Sequence, residues 1–82
     1  MDNSEILESI KEIVIDVLDI EDSDTFILIG SSKIEEYSEW DSLAHINIIT
    51  QIESTFDIRF SLDEVENFSE ISDFIKIINS RI

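Results

Sequence analysis

Eighty-two residues make one small module, read as a single domain over residues 1–82. Folding at that size buries only about 60 to 65 percent of the surface the unfolded chain exposes, which excludes a layered enzyme with a deep pocket. Twenty Asp and Glu against five Lys and Arg leave a net charge of −15, which repels nucleic acid and anionic lipid and favours basic partners or cations. The absence of cysteine excludes disulfides, thiolate metal sites and a catalytic thiol, so any thiol chemistry must come from an attached group.

A hydrophobic content of 43% is that of a folded chain, and no proline with a single glycine argues for helices joined by polar loops. Ile6, Ile10, Ile13, Val14, Val17 and Leu18 recur at helical spacing and predict a first helix over 3–19, capped by Asp2 or Asn3 with Glu5 or Glu8 in its first turn. From Ile20 to Trp40 the periodicity breaks into a long connection, with acidic runs on either side of Phe26-Ile27-Leu28-Ile29-Gly30.

Asp41 then opens a second helix over 42–56, whose inward face is expected to carry His45, Ile48, Ile49, Ile52 and Phe56. Ser61 and Glu64 fit a capping box for a short third helix holding Val65 and Phe68. Ser69 is expected to cap a fourth, with Ile71, Phe74, Ile75, Ile78 and Ile82 on one face. The fold class that follows is all-α: a small four-helix bundle with a long loop between helices one and two and a short third helix.

The charge is spread unevenly, with only two acids and no base between residues 42 and 57. With the expected face turned inward, Leu43, Ile46 and Thr50 point away or to the side beside Asn47 and Glu53, an apolar stripe with a polar rim. Leu43 and Ile46 can serve a partner or pack on the long loop. Ser42 sits at the helix tip, where open amides and the helix dipole favour a negative group such as a phosphodiester.

Trp40-Asp41-Ser42-Leu43, followed by Ile46, Ile48-Ile49, Ile52-Glu53, Phe56, Ile58 and Phe60, resembles the acyl carrier protein family over most of the chain. The resemblance implies that Ser42 accepts 4′-phosphopantetheine from coenzyme A through a phosphopantetheinyl transferase. It also implies that the domain, without catalysis of its own, carries thioester-bound acyl or aminoacyl groups. A loading ligase or transferase would supply the cargo and a downstream synthase or transferase would consume it. Asp41, Leu43, Ile46, Asn47 and Glu53 are the residues expected to meet partners. Ala44, Asn47 and Ser54 stand where carriers of fatty-acid synthesis are often acidic, which points to a specialised pathway. The acidic start is unlike a signal peptide, so a cytoplasmic monomer without membrane insertion is expected.

Competing readings of the same residues are weaker. An Asp41-Ser42-His45 hydrolase fails because one helical turn cannot place a base between nucleophile and orienting acid. Asp22-Ser23-Asp24 starts like a calcium loop, but Ile27 and Lys33 stand where glycine and glutamate are needed. The alternative from another class is an acidic helical interaction domain that carries no arm and binds a basic partner by charge.

Overall fold

The computed structural model describes residues 2–82 and contains four α-helices: α1 (Asn3–Leu18), α2 (Ser42–Phe56), α3 (Leu62–Asn67) and α4 (Ile71–Arg81). A 3-10 turn at Ile34–Glu36 interrupts the long α1–α2 connection, and no strand forms among the described residues. No helix is long and apolar enough to cross a membrane.

Each helix starts where a side-chain oxygen can take an orphan amide. Asp2, rather than Asn3, caps α1 by accepting from the Glu5 N–H at 2.9 Å and the Ser4 hydroxyl at 3.0 Å. These bonds, the Glu5 amide first, hold the Asp2 carboxyl below the usual carboxylate range. α1 stops at Leu18, one residue earlier than expected, because Asp19 turns left-handed at φ 55° and the Ile20 N–H closes back on the Ile15 carbonyl. Asp57 ends α2 in the same way, also at φ 55°, with the Ile58 N–H on Glu53. Aspartate does at both ends what glycine usually does there.

The expected cap of α4 is corrected. Glu70, not Ser69, is the residue at the N-cap, and the Asp73 carboxylate gathers the amides of Ser69 and Glu70, each at 3.0 Å, together with the Ser69 hydroxyl. Serine at 69 therefore donates into a cap made by an acid inside the helix. Burial pushes the Asp73 carboxyl up, but these hydrogen bonds outweigh it and leave it below the usual range.

α1 packs on α2 and on α4, burying Ile6, Ile10 and Val14 against Ile48, Ile52, Ile71, Phe74 and Ile78, all without exposed surface. The inward face of α2 is rotated from the expected one: Ala44 is buried, while His45 and Phe56 are half-buried at its edges. A small residue at 44 lets the N-terminal turn of α2 sit close to its neighbours. Ile82 does not join the core; it follows the last turn of α4 and stays 54% exposed.

The long connection is fixed by backbone bonds. Ile34 N–H donates to Ser69, Ile71 N–H to Ser32 and Ser72 N–H to Gly30, at 2.9, 3.0 and 2.8 Å. Gly30 has no positive φ, and a Cβ there would meet the Ser72 Cβ at 3.8 Å, so its carbonyl matters rather than its freedom. Leu28 and Trp40 anchor the same segment in the core, while Ile27 and Ile29 face out.

α3 has no fully buried side chain; Val65 packs half-buried on the core, and polar ties add to that hold. Ser61 and Glu64 form the expected capping box, amide to carboxylate at 2.8 Å and amide to hydroxyl at 3.2 Å. Arg81 then grips both Glu64 oxygens, at 2.8 and 2.6 Å, and also donates to the Arg59 carbonyl. The Arg81 guanidinium first, and the Ser61 amide next, lower the Glu64 carboxyl from the usual 4.5 to about 2.

Two outcomes follow from these contacts. Phe74→Ala is expected to cost about 3–5 kcal/mol, a large part of the roughly 5–15 kcal/mol available to a domain, read as a lower urea midpoint. Glu64 titrates lower in the folded than in the unfolded chain, so its contribution is present above about pH 4.5 and fades toward pH 2. The Tm gap between wild type and Glu64→Gln should therefore be open at neutral pH, shrink with salt, and close as pH falls through that window.

Candidate functional site

The α2 N-terminus is built by Asp41, whose carboxylate accepts the Ala44 N–H at 2.9 Å while its carbonyl accepts the His45 N–H at 2.9 Å. The amides of Ser42 and Leu43 precede these bonds and lie at the positive end of the helix dipole. Ser42 is the first helical residue and is exposed, so its hydroxyl is presented beside an amide-rich tip. A serine in this position can accept a phosphodiester without burying the added charge.

Ser42 lies on the rim of an open groove of about 470 Å³. One bank comprises Ile34 and Trp40 from the long connection; the other comprises Leu62, Val65 and Glu66 of α3, with His45 and Ile46 of α2 between them. Two apolar residues that line it are well exposed, Ile46 at 52% and Leu62 at 72%, and Leu43, next to Ser42 in the chain, is 71% exposed. Leu43 and Ile46 thus point outward and do not pack under the long loop. Asn47 is exposed beside them.

Glu53 has an internal duty. It is half-buried, and its carboxylate accepts the Phe60 N–H at 2.9 Å, tying the α2–α3 turn to α2. Asp41 likewise spends one carboxylate oxygen on the cap, so of the five residues named for partner contact, two also hold the fold.

His45 shows why no hydrolase forms here. Its Nδ1 accepts from the Trp40 indole N–H at 3.0 Å, and its Nε2 lies 3.0 Å from the Val65 carbonyl. An indole nitrogen only donates and a carbonyl only accepts, so Nδ1 is the acceptor of the ring and Nε2 its donor. Both nitrogens are engaged away from Ser42. This pair escaped sequence reasoning although a signal exists: Trp40 immediately precedes the N-cap and His45 is the fourth helical residue, the two positions of a hydrophobic staple. Here the staple has a hydrogen bond at its centre. Among the described residues no group of three His, Cys, Asp or Glu is placed to hold a metal ion.

No protein-family model matches the chain. An acyl carrier protein of Thermosynechococcus vestitus is 29% identical over 82 residues, covering all of this chain and 98% of the relative. A solution NMR structure of a holo acyl carrier protein from Nitrosomonas europaea superposes with a TM-score of 0.74 at 30% identity, covering 92% of this chain and 93% of that one. The likeness runs over nearly the full length of both proteins and over the whole helical layout, and it places this chain in the acyl carrier protein family, whose members are carriers with no catalysis of their own.

Proposed function

We propose that Ser42 is the residue that takes 4′-phosphopantetheine, and that the chain shuttles thioester-bound acyl or aminoacyl groups between enzymes of a specialised biosynthetic pathway. The observation that carries this reading is Ser42 itself, exposed at the first position of α2 with open amides beside it and an apolar groove alongside. In the transfer, the Ser42 oxygen bonds to the phosphorus bearing the pantetheine, the pyrophosphate bond of coenzyme A breaks with adenosine 3′,5′-bisphosphate leaving on its bridging oxygen, and the serine proton passes to a base on the transferase. Bound there, the group supplies the thiol that the sequence lacks, on a flexible tether.

The chain's own part is to present and orient. Leu43, Ile46 and Asn47 form a nearly uncharged docking strip, and Asp41 caps the helix at its end. α2 holds one acid, Glu53, and that acid is partly committed to Phe60. Of the positions where fatty-acid carriers are often acidic, Ala44 is buried here, while Asn47 and Ser54 are exposed and neutral. A partner reading this strip relies on apolar contact more than on charge pairs, which supports service in a dedicated pathway rather than general fatty-acid synthesis. The phosphopantetheinyl transferase, a loading ligase or transferase and a downstream synthase or transferase are the partners this implies.

Incubation with coenzyme A, magnesium and a promiscuous phosphopantetheinyl transferase should add one phosphopantetheine to the intact mass, mapped to Ser42, and Ser42→Ala should abolish the gain with an unchanged melting curve. No gain on folded protein with several transferases would favour an acidic interaction domain instead. For the modified protein, Leu43→Ala and Ile46→Ala should raise the KM of a partner enzyme by roughly fivefold to tenfold, whereas Asn47→Ala should change it little.

A further inference from the structure

We propose that His45 is a positioning residue that fixes both banks of the groove at Ser42 and thereby sets the surface a partner enzyme meets there. The inference rests on the reading of Ser42 as the modified residue only in its enzymatic arm; the structural arm stands by itself.

Few contacts hold α3 in place. That helix has six residues and none is fully buried; Leu62 is exposed and Val65 alone of its apolar side chains packs, half-buried, on the core, so apolar contact holds it at one point. Its ends are bracketed by Phe60 and Phe68, and Arg81 ties its Glu64 to α4. The hydrogen bond by which α3 itself, as distinct from the turn before it, reaches α2 is the Val65 carbonyl on His45, and both residues line the groove. Without it, α3 could pivot about its ends while keeping its cap and its ion pair.

The opposite bank depends on the same ring. Trp40 is 8% exposed, and its indole N–H donates to His45 Nδ1. A nearly buried indole donor with its acceptor removed must find water or move, which would shift the residue that precedes the Asp41 cap. Ser42 and His45 are three residues apart and so are neighbours on one helix face. One imidazole next to the modified serine thus joins the connection before α2 to the helix after it.

An apolar side chain at this position would fill the space between Trp40, Phe68 and Phe74 but could not orient either bank. Hydrogen bonding in two opposed directions does so, and it needs a side chain with an acceptor and a donor held apart on a rigid frame. Glutamine offers an acceptor oxygen and a donor nitrogen in comparable positions; leucine offers neither. That contrast separates positioning from filling.

The test compares wild type, His45→Leu and His45→Gln as full-length, unmodified protein. In His45→Leu the Trp40 indole N–H resonance should move, and amide exchange at residues 65–67 should rise about tenfold, with α1 and α4 core amides unchanged. KM for a phosphopantetheinyl transferase should rise severalfold at nearly constant kcat. His45→Gln should restore all three toward wild type. The proposal is overturned if His45→Leu leaves α3 exchange and KM unchanged, if it loosens α1 and α4 as much as α3, or if glutamine rescues no better than leucine. Failure of the wild type itself to accept phosphopantetheine would overturn the reading of Ser42, while the indole and exchange data would still decide the role of His45.

Discussion

Phe74 has no exposed surface, and four rings from different parts of the chain lie against it: Phe68 stacked at 4.1 Å, with Trp40, His45 and Phe60 at 6.3 to 6.5 Å. It belongs to α4, yet its neighbours come from the long connection, from α2 and from both flanks of α3. Everything at the Ser42 end is therefore placed by reference to one side chain of the last helix. The isoleucine packing of α1 on α2 and α4 supplies most of the burial, but it leaves α3 and the connection unplaced. Aromatic contacts with preferred ring geometry, together with a few polar ties, perform that placement.

The charge distribution fits this division of labour. A net charge of −15 presses the molecule apart at low ionic strength, and no acid belongs to the buried core. Several acids are used where an anion helps: Asp2, Asp41, Glu64 and Asp73 accept backbone amides at helix starts. The helix that bears Ser42 is the least charged, so its apolar side chains are not ringed by acids of their own helix.

Much of this was legible in the order of residues. The bounds of α2 and the capping box of α3 follow from local signals that the structure repeats residue for residue. Ser42 at the first helical position follows from Asp41 as a cap, and the family from the run around it. The failures share a physical cause. Ser69 looked like a cap because serine is a good one, but Asp73 inside the helix outcompeted it for the same amides. Ala44 and His45 exchanged roles because a 100° periodicity cannot tell the centre of a face from its edge when the neighbouring elements are unknown. The bonds that dock the long connection on the start of α4 join backbone to backbone, and no side-chain pattern encodes them.

Those backbone bonds also impose an order of events during synthesis. Gly30 and Ser32 offer their carbonyls to the amides of Ser72 and Ile71, some forty positions later, and Trp40 rests on Phe74. A nascent chain that has emerged only as far as α2 already contains Ser42 and its cap, yet the segment leading into that cap has nothing to lie against. Closing a loop of this length costs entropy before any contact offsets it, so the segment leading into the Ser42 turn gains these partners only once α4 is present.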